Sequence, residues 1–280
     1  MKFGVVDAGG GFRGIYGCGV LDYCLDHGIY FDYCIGSSAG SSNLASYMAH
    51  QRGRNIPFYG EYSFRKEYCS FGRFLREGNY LNLHYIYGTL TNSDGENPMD
   101  FRTLSENPAE FYAVSVNANT GETIYFDRSF MSQDHYEILM ASAALPGACQ
   151  PIQVGSRLCF DGGCGDPVPF LKAFADGCDK VVVILTKTRD TIRNPKDDNL
   201  GVRMIRRKYP KAAEQLALRY KKYNDAVALA KEYEKAGKVL IVAPESTLGM
   251  TTLKHTQEQL DQMYQMALRD AQAIPEFLAG

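Results

Sequence analysis

The stretch Gly36-Ser37-Ser38-Ala39-Gly40 constrains this chain more than any other. A short apolar run, Tyr33-Cys34-Ile35, leads into it, and a helix-like stretch from Ser41 to His50 follows. G-x-S-x-G between a strand and a helix is the setting of a nucleophile elbow. The backbone turns so sharply at the central residue that a side chain two positions away on either side would collide with it, which accounts for Gly36 and Gly40. The Ser38 hydroxyl is then left at the tip of the turn, facing the positive end of the following helix. On its own the pattern reads equally well as an ordinary small-residue turn.

Upstream, Phe3 to Ala8 has the character of a short buried strand, and Gly9-Gly10-Gly11-Phe12-Arg13-Gly14 follows at once. A helix is expected from about Arg13 to Asp26, with Gly14, Gly17, Cys18, Leu21, Cys24, Leu25 and Gly28 on a 3.6-residue period. The glycine loop has two readings. Gly9, Gly11 and Gly14 match the G-x-G-x-x-G spacing of dinucleotide sites. Such a site wants an acidic residue at the end of the second strand, whereas Asp32 lies at the beginning of that strand and the serine elbow ends it. Alternatively, the loop is an oxyanion hole, with the amides of Gly10 and Gly11 open to a reacting carbonyl. One such donor is worth roughly 3 kcal/mol of transition-state stabilisation.

Far downstream, Asp161-Gly162-Gly163 ends a short strand, Arg157 to Phe160. Asp-Gly is in isolation a common turn pair. Beside an elbow serine and a glycine loop, a functional reading of Asp161 outweighs the plain turn.

The rest of the chain supplies the frame. With 280 residues it can bury a substantial core. Its net charge of −2 gives no bulk signal for nucleic acid, and no nucleic-acid partner is expected. Eight cysteines without a C-x-x-C pair suggest reduced thiols, no metal site and a cytoplasmic location. The first residues reach Gly4 too soon for a secretory leader, and no apolar run approaches the roughly 20 residues that span a bilayer. Glu110–Asn117 and Glu122–Phe126 read as a hairpin around Asn119-Thr120-Gly121; Pro151–Val154 pairs with Arg157–Phe160. Asp179–Thr186 is a buried strand and Lys238–Pro244 a last one. Strands alternating with helices imply a three-layer α/β/α body around a mainly parallel sheet. Between Pro57 and Gly88, aromatics interleave with Arg65, Lys66, Arg73 and Arg76. They suit either a packed helical insertion or a cap that receives acyl chains at a membrane surface. From Asn199 to Gly237 a largely helical region carries a basic face, including Arg203, Arg206, Arg207, Lys208, Lys211, Arg219, Lys221 and Lys222. This is either a solvated face or one drawn to anionic lipid. Thr256–Leu278 reads as one amphipathic helix.

Glycine loop, elbow and Asp-Gly-Gly, in that order, resemble the patatin-like phospholipase family. The family pattern is G-G-G-x-R-G, then G-x-S-x-G, then D-G-A or D-G-G; the likeness runs from about Phe3 to Thr188. Many members carry an aspartate just before the three glycines; Ala8 stands there, with Asp7 one earlier. The resemblance implies the patatin-like α/β/α fold. It implies a lipid acyl hydrolase with Ser38 as nucleophile and Asp161 as base, an oxyanion loop at Gly9, Gly10, Gly11, Arg13 and Gly14, and elbow glycines Gly36 and Gly40. Gly162 and Gly163 complete the third motif, and no metal or organic cofactor is needed. Arg13 would shape the loop or meet a phosphate. The partner would be a lipid or phospholipid ester, with peripheral membrane contact. A catalytic domain over residues 1–190, with an insertion near 57–100, and a helical extension over 191–280 are expected. Two alternatives stand beside this. One is a non-catalytic nucleotide- or lipid-binding protein that uses the glycine loop. The other is a Ser38–Asp161–His255 triad in α/β-hydrolase order, opposed by the two strands before Ser38, where that fold has several, and by the helix-like run that follows His255.

Overall fold

The computed structural model describes residues 1–280. Eight strands form one sheet: β1 (Phe3–Asp7), β2 (Tyr33–Ser37), β3 (Glu110–Asn117), β4 (Thr123–Asp127), β5 (Ile152–Val154), β6 (Arg157–Asp161), β7 (Lys180–Ile184) and β8 (Val239–Val242). Their order is β5-β6-β3-β2-β1-β7-β8, with β4 also paired to β3. β3, β2, β1, β7 and β8 run parallel, while β4, β5 and β6 make the antiparallel part. Strands β1, β2 and β7 are almost wholly buried, as parallel strands covered on both faces must be.

Twelve α-helices surround the sheet. They are α1 (Ile15–Asp26), α2 (Ala39–Met48), α3 (Ile56–Tyr59), α4 (Phe71–Glu77), α5 (Phe101–Glu106), α6 (Glu137–Ser142), α7 (Phe170–Ala175), α8 (Asn199–Ile205), α9 (Pro210–Ala217), α10 (Arg219–Lys235), α11 (Gln257–Asp270) and α12 (Ile274–Ala279). Alternation along the strands divides the core in two. Val5 and Val182 point to the face covered by Leu21 of α1, Leu44 of α2, Leu139 of α6 and Met263 of α11. Val6, Val181 and Val183 point to the other face, under Phe170 of α7 and Val227 of α10. This is the three-layer α/β/α arrangement, with β8, from the C-terminal third of the chain, on the edge of the same sheet.

Three local expectations change. The final helix is two: α11 starts at a capping box built by Thr256 and Gln259 and stops at Asp270. A tight turn, Ala271–Ala273, precedes α12, whose second residue is Pro275. Proline has no N–H for a continuous helix, so it opens a new one. The basic face of the 199–237 region is incomplete. Lys222 turns inward and donates to the carbonyls of Cys164 (3.1 Å) and Gly165 (2.9 Å), and the Arg219 side chain is only 13% exposed. The aromatic insertion divides its residues: Phe58, Tyr59, Tyr62 and Tyr68 are buried, while Phe64, Phe71 and Leu75 are exposed. All eight cysteines are free thiols. No helix is long and apolar enough to cross a membrane.

Candidate active site

Ser38 occupies the junction of β2 and α2 with φ +58° and ψ −132°, a conformation that L-residues avoid. Its neighbours show why glycine flanks it. A Cβ on Gly36 would stand 2.5 Å from the Ser41 amide nitrogen, and one on Gly40 would run into the Asp7 carbonyl. Serine side chains pin the turn. Ser142 accepts from the Ser38 amide (3.0 Å), and Ser41 donates to the Ser38 carbonyl (2.7 Å). The Ser37 hydroxyl reaches the Asp166 carbonyl (3.2 Å). Ser142 is 104 positions away in sequence and carried no signal there.

Pairing on β3 brings Asp161 to this serine. β2 pairs with the first half of β3, ending with Ser37 opposite Val114. β6 pairs with the second half, with Asp161 opposite Ser115. β4 overlaps both stretches and so holds the other edge of β3. β2 and β6 therefore share one edge and meet end to end. Their last residues lie against consecutive residues of β3, one strand step of about 3.3 Å apart. Asp161 is 1% exposed, and one carboxylate oxygen accepts the Gly163 amide at 2.7 Å. Burial pushes its carboxyl above the usual range; the charge of Arg219, a hydrogen bond from Ser38 and the Gly163 amide oppose that shift. The Ser38 hydroxyl thus acts directly on the Asp161 carboxylate.

The glycine loop approaches from β1. The Gly10 and Gly11 amides have no partner within the protein, and both residues line the cavity that Ser38 enters. The other expected members of the loop serve differently. The Gly9 N–H is taken by Asp7 at 2.9 Å, so it is not a free donor. Gly14 presents its carbonyl to Asn43 at 2.9 Å and packs under Tyr59. Arg13 turns away from the acyl cavity and donates to the Met250 carbonyl (3.3 Å) and Thr252 (3.2 Å). Asp7 is fully buried, braced also by Asn43 at 2.9 Å, and its carboxyl is pushed up to about 6 by burial. It clamps the loop to α2 rather than facing the cavity.

Counted together with its open mouth, the cavity spans about 880 Å³. Ser38, Asp161, Gly10 and Gly11 stand at one end, and Phe58, Tyr68, Leu83, Ile86, Met99 and Leu139 are among its walls. Most of these apolar walls come from the aromatic insertion. His255 is elsewhere: its Nε2 pairs with Ser63 at 2.8 Å, its ring lies 4.0 Å from that of Phe12, and burial lowers its pKa. It contacts neither Ser38 nor Asp161, which removes the triad alternative. Arg219, read from sequence as part of a basic surface, lies beside Gly163 and Asp161.

Comparison with known proteins matches residues 5–174 to the family described as patatin-like phospholipase. The chain belongs to that family. Residues 209–278 match a second family, described only as a domain of unknown function, DUF6363. Among curated relatives, the uncharacterised protein YjjU of Escherichia coli is 28% identical over 190 residues, covering 66% of this chain and 52% of that protein. Lysophospholipase NTE1 of Meyerozyma guilliermondii is 27% identical over 182 residues, covering 65% of this chain and 12% of that protein. The chain thus spans about half the length of the first and a small part of the second. VipD of Legionella pneumophila superposes over 97% of this chain and 67% of its own, at 16% identity and a TM-score of 0.49. In patatin-like terms the three motifs carry Gly10, Gly11, Ser38 and Asp161, while Ser142, Asn43 and Arg219 are supports that the motifs do not name.

Proposed function

We propose that this patatin-like protein is a serine acyl hydrolase that cleaves fatty acyl esters of lipids through a Ser38–Asp161 dyad. The observation that carries this reading is the shared mouth: a strained serine, a buried carboxylate and two unpartnered glycine amides all stand at one end of an apolar cavity. The acyl chain lies along the walls from the aromatic insertion. The ester carbonyl sits at Ser38. Asp161 takes the hydroxyl proton as Oγ attacks the carbonyl carbon, and the Gly10 and Gly11 amides hold the oxyanion. Collapse expels the leaving alcohol, which takes the proton from Asp161, and leaves an acyl ester on Ser38. Water, deprotonated by Asp161, then releases the fatty acid. A match to a protein named lysophospholipase supports a lipid ester as substrate. The exposed Phe64, Phe71 and Leu75, with Arg73 and Arg76 alongside, support peripheral contact with a lipid surface.

The test is hydrolysis of p-nitrophenyl esters by wild type and Ser38→Ala, with fluorophosphonate labelling. Wild type should be labelled on Ser38 alone, and the variant should lose label and activity together. A variant that keeps its activity refutes the assignment.

A further inference from the structure

A second cavity opens on the other side of Ser38. Ser38, Gly10 and Arg219 line both cavities, so the two meet at the serine. The first is apolar; the second is walled by four cations, Arg13, Lys187, Arg193 and Arg219, and by no acidic side chain. Asp198, outside that wall, pairs with Arg193 at 2.8 Å and Arg219 at 3.4 Å. That leaves the buried Nε atoms of Arg13, Arg193 and Arg219 without any partner. Arg13 is 7% exposed and the Arg193 side chain 10%. Lys187 makes no ion pair in the fold. Burial brings its ammonium down to about 8, with Arg193, Arg13 and Arg219 adding repulsion and Asp197 opposing it. Asp198 and Asp161 offset part of the charge on Arg193 and Arg219, but Arg13 and Lys187 have no ion-pair partner, and buried like charges are costly without a counter-charge.

We propose that this recess is an anion subsite that holds a phosphate group on the leaving-group side of the ester. The proposal rests on Ser38 being the nucleophile. Four cationic side chains from separate stretches of the chain line the recess, and a set spread in this way suits a tetrahedral oxyanion better than a planar carboxylate. Three of the four cations lie outside the family match at residues 5–174, and Arg219 falls within the segment of unknown function. The C-terminal part of the chain therefore supplies a recognition element to the patatin-like site. An ester placed at Ser38 would send its acyl chain one way and a phosphate the other.

The test uses the full chain. Calorimetry on Ser38→Ala measures binding of glycerol 3-phosphate and of inorganic phosphate. Lys187→Met in the same background should weaken binding about ten-fold, the scale of one charge-assisted hydrogen bond, and Lys187→Arg should restore it. Binding should also weaken above about pH 8, as Lys187 loses its proton. Kinetics with Ser38 intact compare a lysophosphatidate with a monoacylglycerol of the same chain length. If the phosphate belongs to the lipid, Lys187→Met lowers the ratio of the two kcat/KM values about ten-fold. If the ratio holds while phosphate binding falls, the subsite takes free phosphate, and the anion site stands without the headgroup. Absence of phosphate binding at millimolar concentration, in protein with wild-type circular dichroism and Tm, overturns the proposal. Activity retained by Ser38→Ala would instead sink the hydrolase reading and leave the binding result intact.

Discussion

Replacing Ser38 with glycine should stabilise the fold while removing activity. The backbone there has φ +58° and ψ −132°, a region open to glycine and closed to residues with a Cβ. Holding a non-glycine residue in such a conformation costs about 1–3 kcal/mol. Glycine relieves that strain but gives the unfolded chain more freedom, which offsets about 0.4–1 kcal/mol. The comparison that isolates the backbone is Ser38→Gly against Ser38→Ala. Both lose the hydroxyl and its contact with Asp161; only alanine keeps the strained Cβ. The net difference should be about 1 kcal/mol in favour of glycine. For a chain of this size that is a rise in Tm of roughly 2–4 °C. Thermal melts of the two variants, both inactive on p-nitrophenyl esters, measure it directly. A glycine variant that melts at or below the alanine variant would refute the idea that the elbow stores strain.

Asp161→Asn should cut kcat by roughly a thousand-fold or more, with the fold intact, because no other base reaches Ser38. The base works deprotonated, and burial raises its pKa, so kcat/KM should fall on acidification at a pH above the ordinary carboxylate range; a pH profile checks this. Arg219→Met removes the charge that holds this pKa down, so the acid limb should move to higher pH, and a profile that stays in place would show that Arg219 does not act on Asp161. His255→Ala should leave kcat within a few-fold of wild type, since its ring serves Ser63 and Phe12; a loss of several hundred-fold would restore the triad. A Cβ on Gly10 would strike the Thr186 hydroxyl, so Gly10→Ala should lower kcat by about 100-fold with KM changed less.

The chain itself announces its local chemistry. Gly36 and Gly40 around Ser38, the triplet Gly9-Gly10-Gly11 and the pair after Asp161 are needed where backbone must turn sharply or approach closely. Such needs are written one residue at a time. The buried runs of β1 and β7 are equally legible, because strands covered on both faces must be apolar throughout. The meeting of Ser38 with Asp161 is of another kind. It follows from β2 and β6 sharing one edge of β3, and no spacing within either strand encodes a neighbour 123 positions away. Arg219 shows the same limit. Among the basic residues of the 199–237 region it looks like one more solvated charge, yet the start of α10 brings it beside Gly163 and Asp161. Which residue types can do chemistry is a property of the local chain; which of them share a cavity depends on how distant strands and helices pack, and only the folded molecule decides that.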